Sequence, residues 1–143
     1  MKNTNKIISI VAKIHSKANQ LIIKELKDNN LKGLVPSHGD ILIKLYDNVN
    51  GLNMKEISVS INKDKSTVTS LVNKLEKLEL VKRVKSAIDS RSTLIKLTTK
   101  GLDTKHIVLN VISKKLLTQA YLNFNNHEKE TLFKLLEKMQ QNF

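Results

Sequence analysis

Residues 65–78 gather hydroxyls, one amide and cations on one side of a helical repeat. Ser66, Thr67, Thr69, Ser70, Asn73, Lys74 and Lys77 fall largely on that side, and no acid joins them before Glu76. Hydroxyls and amides hydrogen-bond to base edges, and ammonium groups neutralise phosphates, so the combination suits contact with nucleic acid. Asn73 has the donor and acceptor that pair bidentately with adenine, and Thr69 has a methyl for thymine. Lys65, Ser66 and Thr67 stand near the helix start, where free backbone N–H groups favour phosphate. For Ser66 and Thr67 the alternative is simple helix capping. Such a face on an isolated helix would be ordinary solvated surface, so the neighbouring segments decide its meaning.

After Glu79 the apolar period changes from helical to alternating. Residues 80–84 and 94–98 are short, β-branched and apolar, and they bracket a polar segment, 85–93. This predicts a β-hairpin with a long exposed tip. Arg91 lies in that tip, where a guanidinium can enter a narrow minor groove or bridge phosphates. Asp89 is anionic and cannot add affinity for DNA, so its expected role is to orient Arg91 or another tip cation. Lys82, Arg83 and Lys85 are placed to meet the backbone, with an internal ion pair as the alternative for Arg83.

These groups need a scaffold, and the spacing of apolar residues supplies one. Ile7, Val11, Ile14, Ala18, Leu21 and Ile22 form the stripe of a first helix over residues 5–28, and Ile8, Ile10 and Ile23 widen it enough to meet two partners. Asn29, Asn30 and Gly33 end it. A second helix starts near Pro36, with Ser37 as cap and Asp40 three residues on. Ile41, Leu42, Leu45 and Tyr46 form its buried face. Asn53 caps a third helix with Glu56 at the reciprocal position; Asn62 suits a left-handed turn, and Asp64 caps the helix that bears Asn73. Two helices joined by so short a turn make a helix-turn-helix, and the hairpin that follows makes it a winged one. A helical pattern runs on from Thr99 to about Asn123, and Asn126 can cap a last helix carrying Leu132, Phe133, Leu135, Leu136 and Met139. The fold class expected is mainly α with a small β-hairpin: a winged helix-turn-helix with a helical layer from both termini.

Composition narrows the possible partners. The 143 residues suffice for one domain with a real core. A formal net charge of +12 favours an anionic partner. Residues 54–100 hold 11 Lys/Arg against 5 Asp/Glu, half of that excess, and both arginines of the chain lie there. No cysteine is present, which excludes disulfides and thiolate metal sites. No apolar run approaches membrane-spanning length, and a polar start over residues 1–6, then Ser9 and Lys13, argues against a signal peptide. A cytoplasmic location is expected. The four histidines are too scattered for a local metal motif, and no phosphate loop or nucleophile motif supports catalysis. Neither an enzyme nor a cofactor is expected.

The central segment resembles the MarR family, the multiple-antibiotic-resistance type of bacterial transcriptional regulator. The resemblance is carried by Asp89-Ser-Arg91 at the wing, then Leu97-Thr98 and Gly101 as the next helix opens. Residues 64–74 match the recognition helix, continuing through Leu75, Leu78 and Leu80 to Val81 and Arg83. Two positions depart from the pattern: Glu79 stands where many relatives have glycine, and Ser58 where alanine is common. The resemblance covers essentially the whole chain. It implies a homodimer built by helices in residues 5–30 and 101–143, with a winged helix-turn-helix over residues 34–100. Each pair of subunits would bind double-stranded DNA at a near-palindromic operator, as a repressor. Some relatives sense zinc through the second and fifth helices, near Asp40 and His106 here, but Asn110 stands where a further histidine would be needed, so no metal site is expected.

The resemblance also implies a small-molecule effector between the dimer layer and the winged unit, altering the spacing of the two recognition helices. Ile14, Ala18, Ile41, Leu45 and His106 are the candidate pocket. The DNA-binding set is Lys65, Ser66, Thr67, Thr69, Ser70, Asn73, Lys74, Lys85 and Arg91, with Asp89 and Arg83 supporting the wing. The rival readings are a winged-helix interaction module binding an acidic protein, and a membrane-surface protein using the apolar first helix.

Overall fold

The computed structural model describes residues 3–143; Met1 and Lys2, part of the polar N-terminal stretch, lie outside the described residues. The first long helix, α1, spans Ile7–Asp28. Its end is set by Asn30, whose φ of +64° takes the left-handed turn expected of this residue type. The Leu31 N–H then donates back to the Leu26 carbonyl at 2.8 Å, and both leucines are buried. Only this end of α1 is sealed: Glu25 and Leu26 are its buried residues.

Helix α2 spans Pro36–Tyr46. Ser37 does not cap it and Asp40 forms no box with it. Proline lacks an N–H and already has helical φ, so Pro36 takes the first helical position and Val35 becomes the cap residue. The third helical residue, His38, closes the turn by accepting the Val35 N–H on Nδ1 at 2.9 Å. Helix α3, Met54–Ile61, begins as expected: the Glu56 N–H donates to Asn53 Oδ1 at 2.8 Å, and the Asn53 amide donates to Glu56 Oε1 at 2.7 Å. Asn62 turns left-handed at φ +54°. Ser58 donates its hydroxyl to the Lys63 carbonyl, a bond that alanine could not make.

Helix α4, Lys65–Lys77, is capped by Asp64, whose carboxylate accepts the Thr67 N–H at 2.8 Å. It ends with two hydrogen bonds, Glu79 N–H to the Glu76 carbonyl and Leu80 N–H to the Leu75 carbonyl. This ending needs a left-handed residue between them. Glu79 takes that conformation, φ +62°, although its side chain makes it less easy than for glycine.

The strands are β2, Val81–Lys85, and β3, Thr93–Leu97. Each lies one residue from its expected place, because Leu80 is occupied in the helix ending and Thr98 caps the next helix. They pair antiparallel with Val81 opposite Leu97 and Lys85 opposite Thr93. A two-residue strand not foreseen from sequence, β1 at Leu52–Asn53, adds to the free edge of β3. Thr98 also donates its hydroxyl to the Glu79 carbonyl at 2.6 Å, tying the sheet to the end of α4. Gly101 meets the same junction so closely that a Cβ there would lie 2.0 Å from the Leu80 carbonyl oxygen.

The expected continuous helix from Thr99 onward is divided. Helix α5 is Thr99–Asp103, a π-helical segment occupies Ile107–Ile112, and α6 is Ser113–Ala120. Helix α7, Asn126–Gln140, is capped by Asn125 rather than Asn126, since only Asn125 is three residues from Glu128 and can exchange two bonds with it, at 2.8 and 2.9 Å.

The core lies inside the winged unit. Ile41, Leu42 and Leu45 of α2, Ile57 of α3, Val68, Val72 and Leu75 of α4, and Ile95 of β3 are all 0% exposed. No residue of α7 is buried. Among the described residues no helix is long and apolar enough to cross a membrane.

Candidate nucleic-acid interface

Helix α4 packs Val68, Val72 and Leu75 into the core and turns Ser66, Ser70 and Asn73 to solvent. Its first turn is ordered by Asp64, which accepts both the Thr67 N–H and the Ser66 hydroxyl at 2.8 Å. These bonds, the Thr67 N–H first, hold the Asp64 carboxyl below its usual pKa. Ser66 therefore serves the cap, one of the two roles open to it. Thr69 is half-buried and spends its hydroxyl proton on the Lys65 carbonyl at 2.8 Å.

A cleft of about 510 Å³ separates the start of α4 from the hairpin tip, and Lys55, Ser58, Lys65, Arg91, Ser92 and Thr93 are among its walls. It brings together Lys65 and Arg91, which lie 26 positions apart in the chain. Arg91 is 95% exposed at the tip. Asp89 accepts the Arg91 backbone N–H at 3.0 Å and lies 3.8 Å from its Nε, consistent with orienting that side chain. Lys85 is exposed at the end of β2, opposite Thr93. Lys55 was missed by sequence reasoning. The signal was available: a lysine in the first turn of a helix opposes the helix dipole, which an anionic partner would offset.

Lys74 departs from the expected arrangement. A Cβ built on Gly33 would lie 3.2 Å from Lys74 Nζ, so the ammonium reaches back to the α1–α2 loop and away from the outward row of α4. Its charge there, after the larger effect of burial, helps to hold His38 below the ordinary histidine pKa. Arg83 is not free to meet DNA backbone either. Its Nη2 donates to Asn73 Oδ1 at 2.6 Å and its Nε to Glu76 Oε1 at 3.4 Å.

The five residues expected to form an effector pocket do not surround one cavity. Ile41 and Leu45 fill the core at 0% exposure, and Ile14 is 60% exposed on α1. Ala18 is half-buried on α1. His106 lines a groove of about 720 Å³ with Leu21, Glu25, Asn110, Lys114 and Lys115 among its other walls. There its Nδ1 is 3.0 Å from the Asn110 amide nitrogen, and the buried Glu25 carboxylate pairs with Lys115 Nζ at 2.9 Å.

Two capped helices joined by a short turn and followed by a three-stranded wing define a winged helix-turn-helix protein. Residues 34–93, which contain α2 through the hairpin tip, match the model of the MarR family. Through that segment the chain belongs to the MarR family. It is 37% identical over 94 residues to the HTH-type transcriptional regulator SarZ of Staphylococcus saprophyticus, an alignment covering 64% of each protein. The chain thus spans just under two thirds of that relative's length. Among solved structures, a MarR protein from Peptoclostridium difficile superposes with a TM-score of 0.83 at 26% identity, over 96% of this chain and 86% of that one. The S. aureus MepR–DNA complex superposes with a TM-score of 0.81 at 23% identity, over 94% and 96% of the two chains.

Proposed function

We propose that this chain is a DNA-binding transcriptional regulator working as a homodimer. The observation that carries the reading is the convergence of Lys55, Lys65 and Arg91 on one cleft beside the outward Ser70 and Asn73. Cations at the cleft would fix the protein on the phosphates, and the outward polar row would read bases. The membership in the MarR family supports it, as does the likeness in fold to MepR, which was solved with DNA.

The DNA-contacting set is Lys55, Lys65, Thr67, Ser70, Asn73, Lys85 and Arg91, with Asp89 and Arg83 as supports and Ser66 and Thr69 ordering the helix. Residues 34–100 form the reading unit. Residues 5–30 and 101–143 form the dimer layer, which leaves Ile8, Ile14, Phe133, Leu135 and Leu136 43–62% exposed in a single chain. So large an apolar surface is characteristic of an interaction site. A second copy would cover it and set two recognition helices about 34–36 Å apart, the geometry for a near-palindromic operator. Occupying a promoter in this way is repression, and a small ligand that favours a different spacing would relieve it. Such a regulator works in the cytoplasm.

The test is binding to an operator-length duplex selected from random DNA, with competitor DNA and a salt series. Arg91→Ala should weaken binding roughly tenfold, and Lys65→Ala should lower the slope of log affinity against log salt by about one. Unchanged binding in both variants, or preference for an acidic protein over the duplex, overturns the reading.

A further inference from the structure

We propose that Arg83 is a specificity-determining positioning residue: by holding the Asn73 carbonyl, it presents the recognition-helix amide to DNA as a donor. This deepens the reading of α4 as the base-reading helix and rests on it. Arg83 sits at the middle of β2, with its backbone paired to Ile95 of the central strand, so the root of its side chain is fixed by the sheet. Its guanidinium reaches α4 and forks between Asn73 and Glu76, with Nη2 at 2.6 Å from Asn73 Oδ1 and Nε at 3.4 Å from Glu76 Oε1. Residues three apart are neighbours on a helix surface, so one planar donor can serve both. Glu76 keeps the cation in place, and the cation offsets the only acid within the polar face of α4.

The chemistry of the pair fixes which end of the amide faces out. A guanidinium has five N–H donors and no acceptor. It can hold Asn73 only by the oxygen, so Nδ2 and its two protons are left for an outside partner. A free asparagine reads adenine by using both ends, accepting from N6 and donating to N7. With the oxygen engaged by a charged donor, adenine loses its advantage. The favoured partners are then acceptor-rich edges, guanine N7 and O6 or thymine O4. Arg83 would thus act on base choice without touching a base.

Selection of bound duplexes from a randomised pool tests this with full-length wild type and four variants. Asn73→Ala should erase the preference at one position in each half-site, which identifies the position that Asn73 reads. Wild type should favour guanine or thymine there, and Arg83→Ala should move the relative preference at that position toward adenine by roughly tenfold, with other positions unchanged. Arg83→Met, which keeps side-chain length without a donor, should do the same and serves if the alanine variant fails to fold. Glu76→Gln should retain the wild-type base. An unaltered preference in both Arg83 variants, or adenine already favoured by wild type at that position, overturns the assignment. Failure of the wild type to select any sequence overturns the base-reading function itself, and the assignment with it.

Discussion

Leu75 and Phe133 both lie on amphipathic helices with well-made caps, yet Leu75 is sealed at 0% exposure and Phe133 is 59% exposed. Helix formation does not separate the two regions. Asp64 holds the start of α4 as Asn125 holds the start of α7, each by a 2.8 Å bond from a backbone N–H. What separates them is a partner for the apolar face. The winged unit assembles α2, α3, α4 and β3 around residues that a single chain buries completely. The terminal layer offers its face without covering it, and a 15-residue helix without tertiary support is marginal in water. One region carries its fold within the chain, while the other awaits association.

The comparison breaks most plainly at α7. Phe133→Asp should halve the solution mass, from a dimer of 16.2 kDa subunits to a single one, with association weakened by roughly a hundredfold. Sedimentation equilibrium reads this directly, and a monomeric wild type would dissolve the contrast. The next effect belongs to the winged unit alone. Burial first, then the Lys74 charge, holds His38 below the ordinary histidine pKa in the folded state. As pH falls, the unfolded chain takes up the proton first, so stability is complete above about pH 6.5 and is lost as pH drops through the lower folded value. His38→Gln, which can still accept the Val35 N–H, should abolish that pH dependence in urea unfolding. His38→Ala should cost about 1 kcal/mol for the lost cap even at pH 8. The smallest effect sharpens how the winged unit was closed. Glu79→Gly should raise stability by about 0.4–1 kcal/mol, seen as a higher urea midpoint, because glycine takes φ +62° without the cost of a side chain.

Much of the winged unit was legible because its determinants are local. The three-four spacing of Val68, Val72 and Leu75 predicts their burial, and Asn53, Asn62 and Asp64 do what their types favour within a few residues of themselves. Pro36 shows how one residue can override such a pattern, moving the cap from Ser37 to Val35 and giving His38 an unexpected task. The candidate interface was legible in part. Arg91 and Lys65 were named from their types, but the cleft that joins them depends on how the hairpin folds back. Lys74 belongs to the polar side of α4 by angle, yet its long stem carries the charge to Gly33. Arg83 reaches Asn73 across two elements, which no periodicity encodes. The pocket failed for a related reason: spacing tells that Ile41 and Leu45 face inward, and cannot tell a filled interior from a hollow one.

The π segment at Ile107–Ile112 lies where the chain leaves the winged unit for the terminal layer. A π turn accommodates one residue more than an α turn. Loss of a single residue there could be absorbed by a regular α-helix with its backbone ladder intact. All that follows would then be turned by about 100° and drawn in by about 1.5 Å. The angle between the layers is therefore a matter of residue number as much as residue type. A one-residue deletion in this stretch would leave both layers folded and still misdirect the pair of heads they carry.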